Sequence, residues 1–186
     1  MITKRHILYF LPFMLTPGAY AATPNGIVKF NGEIKAQTCS IKSGDENQVI
    51  KLPSVSVDSL NLNGKIAGSK VFTIKVEKCP STLTSVTAHF EANNGTTGYD
   101  VITHNLTNVF QGSTTTTPPT SAAKNVQIRL FDKGGASQVE VGGTDGQFVQ
   151  ISGGEATMEY VASYFATAPA VAGYVTATVA YSLAYN

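Results

Sequence analysis

Beyond residue 21, the residues whose types could do chemistry are few: Cys39, Cys79, His89, His104 and a scatter of carboxylates. A cysteine beside a histidine would make a nucleophile, and a His/Cys/carboxylate cluster would hold a metal. The spacing supports neither. His89 alternates out of phase with Val86, Ala88 and Phe90, and His104 sits in an Asn-rich stretch, so both read as surface histidines. No GxSxG elbow or phosphate-cradling loop is present. GGTDG (142–146) lacks a following Lys-Ser/Thr and reads as a turn, and DKGG (132–135) reads as hairpin chemistry. The twelve acids form no glycosidase-like couple, and NGT (94–96) and NLT (105–107) carry no function in so Asn/Thr-rich a chain. The expectation is a protein that is not an enzyme and takes no cofactor or metal.

The two cysteines take their meaning from the compartment. MITKRHILYFLPFMLTPGAYAA opens the chain with Lys4 and Arg5, then a nine-residue apolar run, then small residues at 19 and 21. That is the form of a secretory signal cleaved after Ala21, and the run is too short to span a bilayer, which takes about 20 residues. In an oxidising compartment a single Cys39–Cys79 disulfide is the default, worth about 4 kcal/mol for a loop of this length. The competing reading is two separate reactive thiols, which neither a CxxC spacing nor a nearby His supports.

Losing Lys4 and Arg5 takes the net charge from +1 to −1. No basic run is left to hold nucleic acid, and no apolar stretch could insert in a membrane. Residues 22–186 suffice for one domain with its own core.

The elements that must position these residues are strands. Period-2 stretches recur between Gly, Asn, Ser and Pro clusters. They are 26–36, 70–79, SVTAHFEA, NVQIRLFD, ATMEYVASYFA and the terminal AGYVTATVAYSLAYN. One short helical turn fits 57–67, a charged turn fits 44–48, and the Thr/Pro-rich 111–125 reads as a surface excursion. The fold class is all-β, an antiparallel sandwich.

Both ends of this sandwich alternate cleanly. Val175, Ala177, Val179, Tyr181, Leu183 and Tyr185 share one face of the last stretch, and Val28, Phe30, Ile34 and Ala36 share one face of the first. Pairing of the first and last strands in a closed sandwich would explain this. Gly32, between Phe30 and Ile34, fits less well, because glycine inside a strand often marks a close approach.

The chain resembles pilin subunits of the chaperone–usher family, which polymerise into type 1-like fimbriae. GIVKFNGEI is similar to the family's N-terminal extension, AQTCSI to its first-cysteine strand, and GSKVFTIKVEKCP to the stretch leading to the second cysteine. NVQIRLFDKGG and the closing YVASYFATAPAVAGYVTATVAYSLAYN continue the match, with Gly173 fourteenth from the end and Tyr185 penultimate. The departures are the 111–125 insert and Asn186 as last residue.

The resemblance implies an incomplete immunoglobulin-like β-sandwich completed by donor-strand exchange. Residues 1–21 would be the signal, 22–35 the donor-strand extension and 36–186 the pilin domain. The donor face would be Gly26, Val28, Phe30, Gly32 and Ile34. The acceptor and chaperone-binding strand would be Gly173, Val175, Ala177, Val179, Tyr181, Leu183 and Tyr185. The implied partners are a periplasmic chaperone, an outer-membrane usher and neighbouring pilin subunits, with export through the periplasm to a surface fimbrium that supports cell adhesion. A rod subunit is favoured over a minor or tip adaptor. A single-domain adhesin with a carbohydrate-binding surface is the other alternative, but no room remains for a receptor-binding domain ahead of Cys39.

Overall fold

Strands form where alternation can bury one face, and the longest such run becomes the centre of the larger sheet. The computed structural model describes residues 28–34, 37–93, 95–115, 120–143 and 146–186. Contacts group the chain into two units, Met1–Ile34 and Lys35–Asn186. Of the first unit only 28–34 are described; they belong to no helix or strand, and Val28, Phe30 and Ile34 are exposed. The signal segment and Gly26 lie outside the described residues.

The second unit is the expected all-β sandwich. Its strands are β1 (Ser40–Ile41), β2 (Ile66–Glu77), β3 (Ser85–Phe90), β4 (Leu106–Thr107), β5 (Lys124–Asp132), β6 (Gln138–Val139), β7 (Val149–Gln150), β8 (Ala156–Val171) and β9 (Tyr181–Tyr185). One sheet runs β1-β2-β8-β5-β4, with β6 also pairing β5; the other runs β7-β3-β9. All these ladders are antiparallel. The short turn predicted within 57–67 is a single 3-10 turn at Val57–Leu60, where the Ser56 hydroxyl accepts from the Asp58 N–H at 3.2 Å. No helix among the described residues is long and apolar enough to cross a membrane.

β8 supplies much of the core. Met158, Tyr160 and Ala162 project inward, opposite Ile74, Phe72 and Lys70 of β2. β3 answers from the other sheet with Val86, Ala88 and Phe90, all nearly or fully buried. Tyr160 ties the layers together: its hydroxyl accepts from the Ala88 N–H at 2.9 Å and lies 3.2 Å from Thr87 Oγ1. Its ring meets Phe90 edge-on at 5.1 Å, and Phe72 lies 5.7 Å away. Such aromatic pairs add roughly 0.5–1.5 kcal/mol beyond burial.

One glycine shapes the larger sheet. Gly68, at φ +65°, sits in the register shift between Ala67 and Lys70, and a Cβ there would lie 2.7 Å from the Tyr164 ring. The bulge lets β2 bend while Tyr164 covers it. Cys39 and Cys79 are joined as a disulfide and tie the start of β1 to the end of β2.

Candidate functional site

The strand that ends the chain has one satisfied edge. β9 pairs antiparallel with β3, with Val86 opposite Tyr185, Ala88 opposite Leu183 and Phe90 opposite Tyr181. The Asn186 N–H donates to the Ser85 carbonyl at 3.2 Å, and the Glu91 N–H donates to the Ala180 carbonyl at 2.9 Å. In an antiparallel ladder the bonded residues alternate, so the even-numbered backbone groups point toward β3. The odd-numbered ones point away from it.

Upstream of β9 the same alternation continues without a strand partner. The carbonyls of Tyr174, Thr176 and Thr178 accept from the N–H groups of Ala123, Val109 and Thr97, each at 2.9 Å. Among the described residues, no hydrogen bond takes up the backbone N–H or C=O of Val175, Ala177, Val179, Tyr181, Leu183 or Tyr185. β9 is the last strand of its sheet on that side.

The side chains of those same six residues pack on the main core cluster, and each is only partly buried. This stretch has its apolar face in place and, among the described residues, its outer backbone edge bare. An edge of that kind is a template for another strand.

Two tyrosines brace it. Tyr181 donates its hydroxyl proton to the Asp45 carbonyl at 3.0 Å, and Tyr185 Oη accepts from the Cys39 N–H at 3.1 Å. Both therefore reach from β9 to the 39–45 segment, which the β1–β2 ladder and the disulfide hold in place. Burial, with Asp45 and Glu46 nearby, pushes the Tyr181 phenol above its ordinary value.

Gly173 begins the stretch for a packing reason. A Cβ there would lie 2.4 Å from the Ala123 nitrogen and 2.5 Å from the Ala122 carbonyl carbon. The backbone of 121–123 therefore runs hard against the strand start, and Ala122 forms a parallel bridge with Tyr174. The return leg of the Thr/Pro-rich segment is thus part of the site, a contact that composition could not announce.

A profile described as Fimbrial protein matches residues 28–186. The chain belongs to the fimbrial protein family. This fimbrial subunit is 37% identical over 170 residues to the F17 fimbrial protein of Escherichia coli, covering 87% of this chain and 88% of that one. It is 34% identical over 182 residues to the major fimbrial subunit SMF-1 of Stenotrophomonas maltophilia (strain K279a), covering 93% and 100%. Among solved structures it is similar to the P pilus rod subunit PapA, with TM-score 0.59 and 17% identity over 81% of this chain and all of that one. A chaperone–usher pilus structure gives TM-score 0.58 at 18% identity, over 91% of this chain and 100% of that one. At these identities the structural likeness bears on fold, and that fold is immunoglobulin-like. The subunit is a structural component of a fimbria.

Of the residues singled out in the sequence, the acceptor set Gly173 to Tyr185 lies together along the bare edge, and Cys39 and Cys79 are bonded to each other. On the donor side Val28, Phe30 and Ile34 are 76%, 90% and 98% exposed, and Gly32 has open space around its Cα. The predicted first strand is not seen in its described residues: 28–34 carry no strand assignment.

The surface expectation for His104 also needs correction. It adopts a left-handed backbone with φ 53°, and its Nδ1 is buried without a hydrogen-bond partner. The cause is the loop around it. One Asp100 carboxylate oxygen accepts from the N–H groups of Ile102 and Thr103, which holds that carboxyl below its usual range. Asn105 then donates to Gln127 Oε1 at 2.8 Å, drawing the loop down onto β5. His89 is half-buried, with Nε2 3.9 Å from Glu91 Oε2. No group of three or more His, Cys, Asp or Glu among the described residues could hold a metal.

Proposed function

We propose that the subunit polymerises by donor-strand exchange. The bare 174–186 edge accepts a strand, first from a periplasmic chaperone and then, at the outer-membrane usher, from the N-terminal extension of the next subunit. The extension supplies Gly26, Val28, Phe30, Gly32 and Ile34 as the donor face. Residues 22–35 act as the extension and 36–186 as the acceptor domain, after removal of 1–21 on export through the periplasm. This is strand addition, of which chaperone–pilin complementation is a known instance: backbone bonds supply affinity and alternate side chains fill pockets.

The observation that carries this reading is the coincidence, in the same six residues, of core-packed side chains with an unpaired backbone edge. The exposed Val28, Phe30 and Ile34 offer the complementary row. One subunit's extension in the next one's edge is a heterologous contact that does not close, so it builds a filament. The role is structural rather than catalytic, and relatives named as major fimbrial subunits support a place in the rod.

Production in the periplasm with and without the cognate chaperone tests the reading. Without it, the subunit is expected to aggregate or be degraded. Soluble, stable monomer at high yield would remove the incomplete-fold reading. A second test substitutes Gly32→Leu, which is expected to stop filament growth while chaperone binding persists. Normal filaments from that variant would take Gly32 out of the donor row.

A further inference from the structure

The 174–180 half of the edge is held differently from the β9 half. In β9 the inner partner is a strand, and its bonds are backbone to backbone. Upstream, the inward N–H groups of Thr176, Thr178 and Ala180 are taken by side chains. The Thr176 N–H donates to Asn108 Oδ1 at 3.0 Å, the Thr178 N–H to Thr97 Oγ1 at 2.8 Å, and the Ala180 N–H to Thr96 Oγ1 at 3.1 Å. Three loop residues stand in for the carbonyls of a missing strand.

Asn108 is the busiest of them. Its Oδ1 also accepts from the Phe110 N–H at 3.0 Å, while its Nδ2 donates to the Ala123 carbonyl at 3.0 Å and the Tyr174 carbonyl at 2.9 Å. A carboxamide has two donors and two acceptor lone pairs. All are used, and they join 108–110, 121–123 and 174–176 at one point. Phe110 stacks on Tyr174 at 5.1 Å beside it. Thr96 in turn donates to the Glu91 carbonyl at 2.6 Å, which anchors it at the end of β3.

We propose that Asn108, Thr97 and Thr96 are positioning residues for strand addition. They hold the first half of the acceptor edge extended, so that the outward groups of Val175, Ala177 and Val179 are in register before a donor arrives. The 111–125 segment contributes through its return leg, whose Ser121 carbonyl accepts from the Tyr174 N–H at 2.9 Å and whose Ala123 N–H donates to the Tyr174 carbonyl. An edge preset in this way needs less ordering at insertion, which is the general benefit of preorganisation. The proposal rests on the donor-strand reading above.

The test uses the full mature chain purified as its complex with the chaperone. A synthetic peptide of residues 22–36 is added, and chaperone release is followed in time. Amide hydrogen exchange is measured on the same complexes. For Asn108→Ala, the Thr176 amide is expected to lose protection about tenfold while the Ser182 and Ala184 amides are unchanged, and the peptide is expected to displace the chaperone about tenfold more slowly, the scale of one lost hydrogen bond.

Thr97→Val should repeat the pattern at Thr178. Thr97→Ser keeps the hydroxyl that accepts from the Thr178 N–H and should recover that amide's protection and the rate lost in Thr97→Val; a general loss of packing would show no such rescue. Should Asn108→Ala yield no complex, Thr97→Val and Thr97→Ser carry the same comparison. Variants that lose amide protection yet exchange at the unsubstituted rate, or that keep protection, overturn the proposal. Failure of the peptide to displace the chaperone from the unsubstituted complex overturns the donor-strand reading itself, and this proposal with it.

Discussion

Phe30 offers a direct measure of strand addition, because one substitution should have opposite consequences in two places. In its own chain the side chain is 90% exposed, so almost none of its transfer free energy has been used. Moving it into an apolar groove should yield about 1.5–3 kcal/mol. Phe30→Ala forfeits most of that, equivalent to about a ten- to 150-fold weaker dissociation constant.

The assay compares the substitution in cis and in trans. A subunit carrying Phe30→Ala in its own extension, with its edge filled by an unsubstituted 22–36 peptide, should melt at the unsubstituted temperature. An unsubstituted subunit filled by the Phe30→Ala peptide should melt lower and release its peptide faster. Loss of stability in the first arrangement would mean that Phe30 already supports its own subunit. Equal peptide affinity in the second would mean that no pocket receives it.

Three further outcomes follow from the geometry. Tyr160→Phe leaves the buried Ala88 N–H without its acceptor, and the donor-filled subunit should lose about 2 kcal/mol in chemical unfolding. Cys39→Ser with Cys79→Ser removes a crosslink between residues 40 apart and should lower stability by about 4 kcal/mol, read by the same method. Tyr181 gives a pH test. Its folded-state pKa is raised above the ordinary 10.0, so its contribution is fully present below pH 10 and is lost as pH rises through the folded value. Alkaline titration should therefore weaken the filled subunit, and Tyr181→Phe should flatten that dependence; an unchanged alkaline profile would separate the phenol from the brace it forms with Asp45.

What could be read from the residues, and what could not, follows from which physical property alternation reports. Period 2 records which side chains are buried, so β2, β3, β5, β8 and the inward face of Val175 to Tyr185 were legible. It is blind to what the backbone pairs with. The terminal stretch alternates from Val175, yet only Tyr181–Tyr185 lies in a ladder, because upstream the N–H groups of Thr176, Thr178 and Ala180 are taken by the side chains of Asn108, Thr97 and Thr96. β1, β4, β6 and β7 are two residues each, too short to carry a period. His104 was misjudged because Asp100 and Asn105 draw its loop inward through polar contacts that hydropathy does not register.

The first stretch is the instructive case. GIVKFNGEI has the alternation of a half-buried strand, and its described residues form none. A hydrophobic face records a demand for a partner layer, without saying which chain supplies it. The last stretch has its face packed and, among the described residues, its outer backbone edge unfilled, while Val28, Phe30 and Ile34 of the first are exposed. In the donor-strand proposal each supplies what the other lacks across a subunit boundary. On that proposal the subunit is completed as a link between neighbours, and the alternation at its two ends is the register of that link.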